Sequence, residues 1–519
     1  MKKYLLFALV AFLAVTSASA QMRIRMGKNS PIEKLGRAEI AIANLYVDSV
    51  DENKLVEDAI RGMLEKLDPH SSYTTAKETQ AMNESLNGSF DGIGVQFNMV
   101  DDSLLVIQPV VNGPSEKVGI IAGDRIVAVN DTAIAGVKMS KEEIMKRLRG
   151  PKGTIVNLTV VRRGIKDKLS FRVKRDKIPV TTMDAAYMIR PGIGYIRLGS
   201  FGMTSHKEVS VAMDSLKKKG MKDLIFDLQD NGGGYLQTAA KIANEFLEKG
   251  DLIVYTNGRT APRQEFRAEA NGRWRKGKLV VLTNEFSAAI QDQDRGVVVG
   301  RRTFGKGLVQ RPLTFEDGSE IRLTIAHYYT PSGRCIQKPY KKGEREDYAM
   351  DLDNRYKHGE FTNQDSIHLS DSLKYYTLRK HRVVYGGGGI MPDYFVPLDT
   401  TKYTKMHRLL TAKSIVINHS LKFIDAHRQE LKSLYKDFGK FLASYEVPQS
   451  LVEEIIADGK KEKIEPRDAA ELAQTKKYLS IQLKALVARD IWDMSQYFQV
   501  WNETNEIVMR AVKLLTTGK

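Results

Sequence analysis

Lys306 stands between two glycines in VVVGRRTFGKGLVQ, residues 297–310, directly after an apolar, strand-like run. Three roles are compatible with that placement. Gly300, Gly305 and Lys306 fit G-x-x-x-x-G-K, the loop that cradles phosphates. That loop next requires Ser or Thr to hold magnesium, then a helix N-terminus, whereas here Gly307 follows and LVQRPLTF continues as a strand. Alternatively, a lysine desolvated by apolar neighbours gives up its proton more easily and can act as a general base for a serine. Phe304 and Val309 would desolvate it, and Gln310 could hold the amine in position. The third role is a plain turn with a solvated cation. A base of this kind also needs backbone donors for a developing oxyanion. DNGGGYL, residues 230–236, offers such N–H groups where the strand-like LIFDL runs into a helix. Asp227 and Asp230 flank that strand end and read as turn formers.

The elements that must position these groups follow from periodicity. Residues 31–80 read as helical, with Leu35, Ala38, Ile42 and Leu45 at three- and four-residue steps, and Pro69 in LDPHSSY stops the helix. From about 84 to 175 the pattern turns to short β runs, with SKEEIMKRLRG as a helix and TIVNLTVVRRG as an alternating strand. Within FDGIGVQF, Gly92 and Gly94 would let N–H groups converge on a carboxylate. This segment resembles a PDZ domain, in order and along its whole length, with Gly92, Ile93, Gly94 and Val95 as its carboxylate loop and AGDRIVAVN as its strand-turn. That resemblance implies capture of a peptide C-terminus by strand addition.

Between 180 and 397 strands alternate with helices, which indicates an α/β core. Beyond 400 the chain reads as helical. Leu479, Leu483, Leu486 and Val487 fall on one face, and Ser450 with Glu453 forms a capping box. HYYTPSGR reads as a strand and turn beside Lys306, and the glycines at 386–389 as a loop of close backbone approach.

LDPHSSY, YIRLGSF, DLQDNGGGYL, TFGKGLVQ, DGSEIRLTIAHYYTPSGRCIQ and GGGGIMPDYFVP, in this order, resemble the carboxyl-terminal processing peptidases, or tail-specific proteases. These are serine peptidases with a Ser–Lys dyad and an embedded PDZ domain. The resemblance implies Lys306 as general base, Gln310 as its orienting partner and Gly233 as oxyanion donor, with Gly232 where the family usually has proline. It implies an α/β core similar to the ClpP/crotonase-like superfamily, an inserted mostly-β PDZ domain and helical N- and C-terminal segments. The divisions expected are a signal peptide at 1–20, a helical segment at 21–83, the PDZ domain at 84–175, the peptidase core at 176–399 and a helical extension at 400–519.

One departure bears on catalysis. The family reads close to N-E-x-S-A-S-A-S-E-I-V-x-G-A around its nucleophile, the middle serine. This chain reads NEFSAAIQDQDRG at 284–296, shorter by about eight residues that would carry the nucleophile. Ser287 is the candidate that remains, nineteen residues before Lys306 and two positions off the family's site. The function expected is an exported serine endopeptidase cleaving near substrate C-termini after PDZ capture of the tail. The alternative is an inactive pseudopeptidase that holds tails or serves as an envelope scaffold.

Composition bounds the rest. The 519 residues carry a net charge of +17, with bases and acids interleaved along the chain, which fits an exported protein with some affinity for anionic surfaces better than a nucleic-acid binder. Cys335 is the sole cysteine and no HExxH spacing occurs among the histidines, so neither a disulfide, a metal nor a cofactor is expected. MKKYLLFALVAFLAVTSASA has the charge, apolar run and small-residue end of a signal peptide cut before Gln21. The partners expected are proteins with accessible C-terminal tails, with cell-envelope association and oligomerisation through the C-terminal helices. The location expected is the periplasm or envelope.

Overall fold

A computed structural model of the chain describes residues 30–283 and 289–518. The signal sequence and Ser287 lie outside the described residues.

Helix α1 (Pro31–Leu45) opens on Ser30, whose hydroxyl accepts from the Glu33 N–H, and α2 (Glu52–Glu65) opens on Asp51 in the same way. The helical reading of 31–80 breaks first between Leu45 and Glu52, and the second helix ends at Glu65, short of Pro69. Ser72–Thr74 form strand β1, because Tyr73 is buried and the segment pairs with a distant core strand, Tyr73 opposite Ile321. Helix α3 (Ala76–Asn87) then starts in a capping box between Thr75 and Glu78.

Next comes an antiparallel sheet, in the order β2 (Val95–Val100), β3 (Ser103–Pro109), β4 (Arg125–Val129), β5 (Ile155–Val161) and β6 (Leu169–Lys174). Its core combines Leu104, Val106, Ile126, Leu158 and Val160 with Ile144 and Leu148 of α4 (Lys141–Leu148). Strand β2 stands at the edge of this sheet. The pair Ser89–Gly92 and Asp176–Pro179 joins the sheet to the rest of the chain.

The core is a six-stranded sheet in the order β7 (Met183–Arg190), β8 (Ile193–Leu198), β9 (Asp223–Asp227), β11 (Leu279–Thr283), β12 (Val297–Gly300) and β15 (Tyr394–Phe395). From β8 onward it is parallel. Its buried strands are near-continuous apolar runs, as a sheet covered on both faces requires. Val209, Met213 and Leu216 of α5 (Ser205–Lys218) and Ile242 of α6 (Leu236–Asn244) cover one face. A smaller sheet joins β1 and β10 (Leu252–Asn257) to the hairpin of β13 (Leu308–Thr314) and β14 (Glu320–Tyr329).

The C-terminal helices include α7 (Ile415–Leu434), α8 (Gln449–Lys461), α9 (Ala469–Ile491), α10 (Met494–Trp501) and α11 (Glu506–Thr517). Leu479, Leu483, Leu486 and Val487 are buried inside this bundle. The capping box expected at Ser450 is absent. Pro448 occupies the cap with its fixed φ of −56°, no side chain caps the helix, and Ser450 falls within the first turn. These helices also do more than append to the core. Ile507, Val508, Ala511 and Leu515 of α11 pack on Ile225, Val280, Leu282 and Val299, covering the second face of the parallel sheet.

Candidate functional site

In the parallel sheet Asp227 lies beside Leu282, and Thr283 beside Gly300. The carboxyl ends of β9, β11 and β12 are therefore neighbours. The chain leaves these ends into the glycine turn 228–234, into residues 284–288 outside the description, and into the loop 301–307. Carboxyl ends of parallel strands are where such sheets hold ligands.

Lys306 is half-buried, and burial together with the charge of Arg322 lowers its pKa from the ordinary 10.5, against an opposing pull from Asp68. Its Nζ donates to Gln310 Oε1 at 3.4 Å, and Gln310 Nε2 donates to the His70 carbonyl at 2.6 Å. A register shift between Val309 and Gln310 in the β13–β14 pairing re-aims Gln310. The Tyr328 hydroxyl donates to the Lys306 carbonyl at 2.7 Å, so the HYYTPSGR strand does lie beside this loop. Gly305 has φ +95°, and a β-carbon there would stand 2.6 Å from the Gly389 nitrogen; one on Gly389 would stand 2.0 Å from the Thr303 carbonyl. The glycines at 386–389 thus do permit close backbone approach. Neither rival role for Lys306 fits this geometry. Strand β13 follows the loop where a phosphate cradle needs a helix, and the amine is withdrawn from full solvation.

The glycine turn is strapped to the exit of β8. Asn231 Nδ2 donates to the Leu198 carbonyl, Gly232 N–H to the Gly199 carbonyl, and Phe201 N–H to the Gly233 carbonyl. Gly233, at φ +83°, does not present a vacant donor here, because its N–H donates to Asn231 Oδ1 at 2.8 Å. Asp227 exceeds the turn-forming role read from the sequence. It is fully buried, accepts from the Gln229 N–H at 2.8 Å, and pairs with Arg197 at 3.2 Å.

Residues 289–296 form turns, with Gln291, Asp292 and Gln293 buried. Asp292 takes Arg334 at 2.6 Å and the Ser332 hydroxyl at 2.6 Å, while Gln291 Nε2 donates to the Met391 carbonyl.

In the loop Gly92, Ile93, Gly94, Val95, Gly94 adopts φ +72°, and a β-carbon there would stand 3.0 Å from Ile178 and 3.2 Å from Pro114. The Ile93 carbonyl accepts from both the N–H and hydroxyl of Ser115, and the Gly94 carbonyl accepts from Val110. These bonds fix the loop at the head of edge strand β2.

Residues 192–349 match peptidase family S41 and residues 92–177 match the PDZ domain. Residues 10–79 match the activating protease CtpB N-terminal domain, and residues 406–493 match a family of unknown function. The chain is 35% identical over 370 residues to the carboxy-terminal processing protease CtpA of Bacillus subtilis, a match covering 68% of this chain and 78% of that one. The chain belongs to the carboxy-terminal processing proteases of family S41. It is also 32% identical over 341 residues to the carboxy-terminal-processing protease of Bartonella bacilliformis, covering 63% of this chain and 78% of the relative. Among solved structures, the photosystem II D1 C-terminal processing protease is 28% identical, with 58% of this chain and 89% of that chain covered and a TM-score of 0.32.

In this family member two residues near Lys306 escape a sequence reading. Asp68 accepts from the His70 and Ser71 N–H groups at 2.9 Å each and from the Thr324 hydroxyl at 3.0 Å, tying LDPHSSY to β14. His70 Nε2 lies 2.9 Å from the Tyr348 hydroxyl, and burial with the charges of Lys306 and Arg345 pushes its pKa from 6.5 down to about 4, although Asp68 opposes the shift. The motif was visible in the sequence, but nothing local connects it to a lysine far along the chain.

Proposed function

We propose that this chain is an exported serine endopeptidase that cleaves substrate proteins near their C-termini. Lys306 carries the reading: a half-buried amine with lowered proton affinity, held by Gln310, at the carboxyl end of the parallel sheet that also bears the glycine turn. The nucleophile assigned is Ser287. Neutral Lys306 takes the serine proton as Oγ bonds to the scissile carbonyl carbon, and the carbonyl electron pair moves onto oxygen. Amides of the glycine turn stabilise that oxyanion, for which Gly233 must exchange its bond to Asn231. Collapse expels the amine, which takes the proton back from Lys306, and water then repeats the sequence on the acyl ester.

The PDZ loop delivers the substrate tail along β2, and the parallel core supports the ClpP/crotonase-like reading of its ancestry. Export rests on the N-terminal sequence pattern, and with it a periplasmic or envelope location. Oligomerisation through the C-terminal helices rests on the sequence reading, and Leu479, Leu483 and Leu486 are buried within the bundle.

A second reading has its own observation. The segment after β11 is shorter than the family's, which favours a pseudopeptidase that binds tails without cutting them. Casein digestion by the parent, Lys306→Ala and Ser287→Ala chains separates the two. Cleavage by the parent alone supports the Ser287–Lys306 dyad. An inert but folded parent overturns the peptidase reading and leaves tail binding.

A further inference from the structure

Arg197 is the penultimate residue of strand β8 and is 9% exposed. Its guanidinium reaches three carboxylates: Nε to Asp184 at 3.2 Å, Nη1 to Asp227 at 3.2 Å and Nη2 to Asp230 at 3.1 Å. Its opposite face is covered by the Phe498 ring of α10, with the guanidinium carbon 4.7 Å from the ring centroid. Asp227 is the last residue of β9, and Asp230 sits three residues on, at φ +59° inside the glycine turn. One planar fork therefore grips the root and the bend of the turn that carries Gly233. A single rigid group spanning both fixes their separation, which a lysine, with one charge on a flexible stem, does not. The C-terminal helices back the same turn, since Asn505 Nδ2 donates to Gln229 Oε1 at 3.4 Å.

We infer that Arg197 is a positioning residue for the oxyanion turn: through Asp227 and Asp230 it sets where the amides of residues 232–234 point. This rests on the reading of that turn as the oxyanion donor. The Asn231–Leu198 bond holds the turn's middle, so the arginine controls its tilt and the asparagine its closure.

The test compares the full chain with Arg197→Lys and Asp230→Asn. Asp230 is largely exposed, so its variant removes one prong of the grip without burying a new charge. The expected result on a peptide substrate is a fall in kcat of roughly 10- to 100-fold for Arg197→Lys, and a smaller fall for Asp230→Asn, with KM within about twofold, as for lost transition-state stabilisation. Binding of a peptide boronic acid should weaken in parallel with kcat. Amide exchange over 228–235 should accelerate in both variants while the PDZ strands keep parental rates. Unchanged kcat and boronate affinity in folded Arg197→Lys would overturn the inference, as would a kcat loss that only follows a loss of folded protein. If the parent neither cleaves nor binds the boronate, the peptidase reading falls. Exchange over 228–235 then decides the grip alone, and unchanged exchange overturns it.

Discussion

Gln310 and Lys306 form a relay in which the amide of Gln310 is bonded at both ends, its oxygen to Lys306 Nζ at 3.4 Å and its nitrogen to the His70 carbonyl at 2.6 Å. The backbone bond fixes which way the amide faces, so the oxygen must point at the amine. A glutamate here would lose the bond to His70 and place a carboxylate against Lys306, favouring the charged form. In the parent, kcat/KM should rise with pH as Lys306 loses its proton, with a midpoint below the ordinary 10.5. Gln310→Glu should move that midpoint upward and lower the rate at neutral pH by about tenfold or more. A pH–rate profile checks this, and an unmoved midpoint would remove Gln310 from any role in setting the proton affinity of Lys306.

His70 provides a stability reading of the same region. Its pKa falls from 6.5 when unfolded to about 4 when folded, first through burial and then through Lys306. Between those values the unfolded chain binds the proton and the native one does not, so stability declines as pH drops from 6.5 toward 4. By linkage the loss amounts to about 2 kcal/mol at pH 5 and about 3 kcal/mol by pH 4. Urea denaturation at pH 7 and pH 5 should show a smaller loss for His70→Gln than for the parent. Equal slopes in the two proteins would mean that another group governs the acid limb.

Some of this was legible in the sequence and some was not, for reasons that particular residues make plain. The TFGKG loop and the glycines at 386–389 announce themselves, because only a backbone without β-carbons allows Gly305 and Gly389 to meet. The partnership of Lys306 with the 67–74 segment leaves no local mark, since His70 and Gln310 are 240 residues apart. Strand β1 is only three residues long, too short for a period to register within helical surroundings. Helix α11 displays an apolar stripe, and a stripe looks the same whether it faces a helical bundle or a parallel sheet. The capping box at Ser450 had the right residues in the wrong place, since Pro448 starts the helix two residues earlier than that box requires.

The contact between the PDZ sheet and α7 supplies the last prediction. Asp425 of α7 pairs with Arg125 of β4 at 3.1 Å and lies 3.7 Å from Arg163, with its side chain only 10% exposed. Arg163 also donates to the Asp425 and Ala426 carbonyls at 3.0 Å each, and Leu421 is buried against Val100 and Leu105. The charges are partly in solvent, so the pair contributes on the order of 1 kcal/mol and weakens with salt. The apolar contact is larger, and Leu421→Ala should cost about 2–4 kcal/mol at this interface. In both variants amide exchange should quicken in 415–434 and along β2 and β3, more strongly for Leu421→Ala, while the parallel core strands keep parental rates. If Asp425→Ala leaves exchange unchanged at low salt and Leu421→Ala raises it, the apolar contact alone holds the PDZ sheet to α7. Parental exchange in both variants would show that this contact does not restrain the PDZ sheet at all.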